Sequence, residues 1–295
     1  MLKTTKYLIL SGMMIAATDV LACASCGSGG DDPLILYPWE TWKVYTGFSK
    51  TADFTPINAA GETSREIGIE SRNTTTVSFG HSFNHRSFAT VTAPYFVNRR
   101  GEYQRSGWGD PMLTGRYTVL QQDITAEWLP QVQAIAAVRS GQATSKYDSE
   151  DLAKLDVFGS GVPEWRVGVD IWHGMSDFKA GLAQMMTGPL SSKKTEFGVI
   201  RPGMNYRSTA TVGYGWGDRG KVIAGVNREQ TTAYQRNSVQ QPDSDTLAHS
   251  AFISVDAKIE HHASLRVTAS RVAAMARNKN TSRSESVTVA FTRAF

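Results

Sequence analysis

Cys23 and Cys26 are the only cysteines in the 295-residue chain, and they stand in the order Cys-Ala-Ser-Cys. A Cys-x-x-Cys pair in an oxidising compartment closes a disulfide or holds a soft metal. Two other readings stay open beside that one. Val20-Leu21-Ala22-Cys23 loosely resembles a lipobox, which would make Cys23 a lipidated first residue. Cleavage after Ala22 or Ala24 would instead leave one or both cysteines at a flexible mature tip. Gly27 follows Cys26, so the pair is not a c-type haem attachment site, which needs His there. A closed zinc site would need further ligands, and only Asp31 and Asp32 lie near in sequence.

Catalytic chemistry has thinner support. His173 with Ser176, and His81 with Ser82, are neighbours of the kind a base and a hydroxyl nucleophile require. The chain contains no Gly-x-Ser-x-Gly and no His-Glu-x-x-His. His261 and His262 are adjacent, so on a strand they would point to opposite faces and could not share a metal. Gly107-Trp108-Gly109-Asp110 is repeated as Gly215-Trp216-Gly217-Asp218, and the expectation for both is a tight bend whose Asp bonds the turn backbone. The stretch from Gly27 to Pro33 reads as a flexible linker, since it lacks the Gly-Lys-Ser/Thr ending of a phosphate loop. No cofactor is expected and the chain is not expected to be an enzyme, a lipid-acting outer-membrane enzyme being the weaker alternative.

The elements that would position these residues begin with an export segment. Lys3 and Lys6 precede the apolar run from Tyr7 to Ala17, with small residues at Ala22 and Ala24. That is the order of a signal peptide, predicted over residues 1–24 with cleavage near 22–24. Its removal takes away Lys3, Lys6 and Asp19, lowering the formal charge from +4 to +3, too little to argue for nucleic acid. A flexible Cys/Gly-rich head is predicted over residues 25–38 and a single uniform domain over residues 39–295. The mean hydropathy of −0.29 resembles a soluble protein. It does not exclude a membrane barrel, whose strands present only every second residue to lipid.

From Trp39 onward, strand-like runs alternate with turns. In one, Trp165, Val167, Val169 and Ile171 oppose Arg166, Gly168 and Asp170; in another, Ile253, Val255, Ala257 and Ile259 oppose Ser254, Asp256 and Lys258. A soluble sandwich shows the same alternation with its apolar face inward. Three further features favour a membrane barrel. Tight turns are predicted at residues 82–86 and 175–177, and long polar loops at residues 51–64, 140–159 and 230–247, the rhythm of outer-membrane barrels. Trp108, Trp128, Trp165, Trp172 and Trp216 fall near predicted strand ends, where the membrane interface suits them. The chain ends SVTVAFTRAF, with Val287, Val289 and Phe291 alternating back from a terminal Phe295, which resembles the signal read by the outer-membrane assembly machinery. Arg293 breaks that apolar face, at a position close enough to the end to snorkel.

The fold predicted is all-β, a transmembrane antiparallel up-and-down barrel of about twelve strands, range about 10–14. Candidate strands centre on residues 42–48, 75–83, 87–98, 110–121, 127–139, 164–173, 177–187, 196–207, 210–217, 222–229, 249–259, 263–274 and 286–295. An even barrel needs one fewer, and the run at 210–217 is the one expected to merge with a neighbour. Arg166, Asp170, Asp256, Lys258 and Arg266 are the candidate pore-lining residues.

Residues 75–100 (TTVSFGHSFNHRSFATVTAPYFVNRR) and 106–117 (SGWGDPMLTGRY) resemble the strand–turn–strand hairpin and the Gly-x-Gly-Asp-x-x-Leu-x-x-x-Tyr motif of the "MetA-pathway of phenol degradation" outer-membrane transporter family. The likeness continues through Leu129-Pro130 and Gly159-Ser160-Gly161 and covers residues 74–205. Arg139-Ser140-Gly141 departs from it where Pro-Thr-Gly is usual, and the cysteine-bearing head is not a family feature. The resemblance implies an outer-membrane channel for hydrophobic or aromatic solutes. The expected function is passive passage of small solutes across the bacterial outer membrane, after export through the periplasm. Outer-membrane lipid, the assembly machinery and an unidentified solute are the expected partners, and nucleic acid is not. A metal- or thiol-handling role for Cys23 and Cys26 on such a barrel is the alternative. A sheath around a multihaem cytochrome would need a far wider barrel.

Overall fold

The computed structural model describes residues 33–37, 39–63, 68–122, 128–196, 198–272 and 277–295. The export segment and the pair Cys23 and Cys26 lie outside these residues. Among them the first strands are β1 (Trp42–Ile57), β2 (Ser71–Asn84), β3 (Ser87–Arg100), β4 (Tyr103–Trp108), β5 (Met112–Leu120) and β6 (Gln131–Arg139). Next come β7 (Glu164–Met175), β8 (Phe178–Pro189), β9 (Lys193–Thr195), β10 (Gly198–Arg201), β11 (Asn205–Gly215) and β12 (Gly220–Thr231). The last are β13 (Gln235–Arg236), β14 (Val239–Gln240), β15 (Thr246–Glu260), β16 (Ala263–Val272) and β17 (Thr281–Ala294).

Twelve positions form a closed antiparallel ring. β17 returns to pair with β1 from Lys43↔Ala294 to Ile57↔Thr281, which closes the ring. One position is shared: β3 pairs with β5 from Ser87↔Tyr117 to Thr92↔Met112, then with β4 from Tyr95↔Trp108 to Arg100↔Tyr103. β4 and β5 are thus one wall strand broken at Gly109-Asp110-Pro111. Pro111 has no N–H to give a ladder, and the Gly109 N–H bonds the Pro94 carbonyl at 2.8 Å instead.

The ring is inside out relative to a soluble core. Thr90, Thr92 and Thr114 are buried, while Val91 and Leu113 between and beside them are each 49% exposed. In β7, Asp170 and Trp172 are buried while Val167 and Ile171 face outward. A closed ring satisfies its own backbone N–H and C=O groups, so this apolar exterior suits hydrocarbon. The ring fixes what alternation alone left undecided, that the apolar face points outward. Aromatic side chains crowd the short-turn rim, where Trp42 stacks on Phe79 and His81 with centroids 5.1 and 3.8 Å apart. Tyr95 and Trp108 pair at the opposite end.

Several boundaries differ from expectation. The loop expected at 51–64 is shortened, because β1 runs on to Ile57 past an irregularity at Ala52/Thr55, where Asp53 takes a positive φ of 58°. The run at 196–207 divides at Pro202-Gly203, so β10 joins a loop sheet and β11 absorbs most of the run at 210–217. That loop sheet, β14-β13-β10-β9, has no counterpart in the sequence reading. Its strands are two to four residues long, below the length at which period-two patterning registers.

Candidate functional site

Alternation in the wall strands turns one polar set of side chains into the lumen. Midway along it, Arg116 of β5 donates from Nη1 to Asp170 Oδ2 of β7 at 3.0 Å, with both side chains essentially inaccessible. The Ser78 and Thr92 hydroxyls pair at 2.9 Å and those of Ser254 and Thr268 at 2.8 Å, so neighbouring strands are also stitched on their inner face. Trp172 was expected at the membrane interface; it is buried inside the ring instead. Its parity in β7 matches Asp170, and Gly181 on β8 leaves room for the indole, since a Cβ there would lie 2.4 Å from the ring. Ile223 and Phe252 pack with it.

At the short-turn end the chain enters its own barrel. Leu34, Ile35 and Leu36 are buried against Tyr45 of β1, Phe88 of β3 and Ala290 of β17. A Cβ at Gly80 would lie 2.5 Å from Leu36 Cδ1 and 2.9 Å from Leu34 Cδ2, so the missing side chain makes the groove for this segment. The other side of the segment bounds a cavity of about 180 Å³, whose far wall comes from β8, β12, β15 and β16. Lys43, Lys179, Lys221, Lys258 and Arg266 line it, with Glu40 and Asp256 as the carboxylates. Arg266 donates from Nη2 to Asp256 Oδ2 at 2.8 Å, with Lys221 Nζ 3.9 Å from the same oxygen. Lys43 donates to both Glu40 oxygens at 2.8 and 2.9 Å, and its ammonium stands 4.9 Å from the Tyr37 ring centroid.

At the long-loop end the segment between β6 and β7 folds inward. Leu155 and Val162 are each 2% exposed, and the Asn98 side-chain amide of β3 donates to the Leu155 carbonyl at 2.7 Å. Asp110, at the break between β4 and β5, is the tether. Its Oδ1 accepts the Ala143 N–H at 2.8 Å and its Oδ2 the Ser160 N–H at 2.9 Å. The expectation that Asp110 bonds its own turn is therefore corrected, because its carboxylate serves a loop thirty to fifty residues away. Gly159 permits the approach, since a Cβ would lie 2.2 Å from Asp110 Oδ2. Under this loop a second cavity of about 230 Å³ is lined by Thr74, Thr76, Phe96, Phe158 and Arg139. Asp148 ties the loop to β9 by accepting from Lys193. Burial works to raise the Asp148 carboxyl, but the Lys193 and Ser145 hydrogen bonds outweigh it and hold the group below its ordinary value.

Of the candidate pore-lining residues, Asp170, Asp256 and Arg266 stand in the two ion pairs above. Arg166 donates from Nε to Thr187 Oγ1 at 3.1 Å, and Lys258 is exposed at the short-turn mouth. Val287, Val289 and Phe291 project outward from β17, and Phe295 beyond it is also exposed, with the Arg293 guanidinium 5.4 Å from its ring centroid. His81 and Ser82 do not act together: Ser82 Oγ donates to the Asn84 carbonyl, while the His81 ring lies on Trp42. His261 and His262 occupy the turn between β15 and β16 rather than a strand, and both border the 180 Å³ cavity. Sequence reasoning missed Lys43, Lys179 and Lys221, and it missed the loop-tethering role of Asp110. It also missed Leu34-Ile35-Leu36, although three consecutive apolar residues after a Gly/Asp-rich stretch were a usable signal.

No protein-family model matches the chain, and no curated protein matches it by sequence. In structure it is similar to an outer membrane channel from Pseudomonas putida F1, with a TM-score of 0.71 and 11% identity over 90% of this chain and 98% of that one. It is also similar to the NanC porin, with a TM-score of 0.51 and 9% identity over 86% of this chain and all of that one. At such identities the likeness establishes the fold, an outer-membrane type of barrel.

Proposed function

We propose that this chain is an outer-membrane channel passing small solutes, narrowed at both ends by its own N-terminal segment and its β6–β7 loop. A closed ring with an apolar exterior and a hydroxyl- and charge-lined interior carries the reading. Hydrocarbon outside and water inside are the pair of solvents such a ring separates. The long loops then face the exterior and the short turns the periplasm, which the export segment at residues 1–24 would supply. Val287, Val289, Phe291 and Phe295 present the outward edge offered to the assembly machinery. Among the described residues, Leu34–Leu36 stand in the lower lumen, and Leu155 and Val162 lie buried in the loop above it. This favours small solutes over general porin traffic, and the resemblance of residues 75–117 adds hydrophobic or aromatic solutes as the class to test first. Reconstitution of heat-modifiable protein into planar bilayers tests it. Discrete low-conductance steps are expected; folded protein that stays silent, or that purifies monodisperse without detergent, overturns it.

A further inference from the structure

The periplasmic mouth combines three features that the wall of a pore does not need. Five cationic side chains and two carboxylates line one cavity, with the Asp177 carboxylate acting on Lys179 from beside it, so cationic groups still outnumber carboxylates there. The carboxylates are already engaged, Asp256 by Arg266 and Lys221, and Glu40 by Lys43. The opposite wall is apolar, built from Leu34, Ile35 and the stacked rings of Tyr37 and Trp39, whose planes are 6° apart at 5.0 Å. The cations arise from β1, β8, β12, β15 and β16, so ring closure rather than any local run brings them together. Lys43, Lys221 and Arg266 are each no more than one-fifth exposed, and charges screened this little by water act strongly on an anion placed among them.

We propose that this mouth binds a small organic monoanion, a carboxylate carried on a single ring or a similarly short apolar body. The carboxylate lies toward Lys179, Lys221 and Arg266, and the body lies against the N-terminal segment. Size agrees: the cavity is about 180 Å³, and a void of about 150 Å³ already holds a benzene-sized ligand. A bare inorganic anion leaves the apolar wall unused, and a neutral aromatic leaves the cationic wall unused. The proposal deepens the channel reading by naming the class of solute that pauses at the exit, and its test is separable from conductance.

Binding is measured by titration calorimetry on the full mature chain in neutral detergent at fixed ionic strength, with benzoate, its uncharged isostere benzamide, acetate and inorganic phosphate as probes. Benzoate is expected to bind at least about tenfold more tightly than each of the others, the equivalent of one charge-assisted contact or one buried ring. The double variant Lys179→Met/Lys221→Met is expected to abolish that preference, while Lys50→Met, midway along β1 on the outer face, leaves it unchanged. Should the double variant lose heat-modifiable migration, Lys258→Gln at the exposed rim replaces it, with a smaller loss expected. Equal affinity for benzoate and benzamide, or for benzoate and acetate, overturns the proposal, as does a preference untouched by the lysine variants. Charge-dependent benzoate binding by a protein that conducts nothing supports the site and removes the channel. A conducting protein that does not discriminate removes the site and spares the channel.

Discussion

Replacing Leu34 and Leu36 by Ala addresses the N-terminal segment directly. Leu34 is fully buried and Leu36 is 4% exposed, both set into the groove over Gly80 between Tyr45 and Phe88. Truncating a buried Leu to Ala costs about 2–5 kcal/mol, because transfer free energy and cavity formation add. This loss falls on the seated segment alone, since the barrel wall is unchanged whether the segment is in or out. Taking the lower bound, the ratio of seated to unseated segment falls about 30-fold for either single variant. The double variant exceeds either single, although the two side chains share one cluster and need not add. In planar bilayers, the wild-type channel is expected to sit in a low-conductance state with rare excursions upward. Each single variant raises the occupancy of the higher state by at least an order of magnitude, and the double variant makes it dominant. Traces of Leu34→Ala, Leu36→Ala and the double variant that match wild type, from protein of normal heat-modifiable migration, would refute the reasoning: the segment would then neither narrow the lumen nor owe its place to burial.

Asp110→Ala removes the acceptor for two loop N–H groups, a loss of about 1–3 kcal/mol. Trypsin should then cut faster at the exposed Lys146 and Lys154, and digestion at the wild-type rate would count against the tether. The lowered Asp148 carboxyl makes the β6–β7 loop's tie to β9 fully present above the ordinary carboxylate value of 3.8 and lost only as pH falls through the lower folded value. Acid gating noise should accordingly begin only below 3.8, whereas Asp148→Asn, which mimics the protonated carboxyl, should be noisy across the whole range with no acid onset; a wild-type onset well above 3.8, or an acid onset that survives the substitution, contradicts the assignment. Arg116→Leu or Asp170→Leu alone strands a buried charge at about 3–5 kcal/mol, while the double variant restores much of the loss. Urea unfolding in micelles measures this, and additive single losses would show that the pair is uncoupled. Phe295→Gly should lower the yield of folded barrel in cells without changing refolding into detergent; equal cellular yield would remove its role in assembly.

The wall was legible in the sequence because a strand's two faces differ every second residue. β15 and β16 show it, with Ile253, Val255, Leu265 and Val267 on one side and Ser254, Asp256 and Arg266 on the other. That local period places a side chain on a face, and the predicted export segment was the sequence's pointer to which solvent the face meets. It could not separate a membrane ring from a soluble sandwich, since both alternate alike. The pairing of β17 with β1 across almost the whole chain decided that. The same limit explains the functional site. Lys43, Lys179, Lys221 and Arg266 are far apart in sequence and lie in strands with nothing to distinguish them, and they converge because closure brings β1, β8, β12 and β16 around one axis. Asp110 read as a turn residue because Gly107 and Gly109 precede it, yet its partners Ala143 and Ser160 come from a loop whose inward fold has no local signature. Trp172 read as an interface residue, though parity with Asp170 already placed it inside, and only the space over Gly181 made that position tenable. Period-two patterning is a property of neighbours along the chain. What fills and narrows the barrel is set by contacts between residues that closure alone makes neighbours.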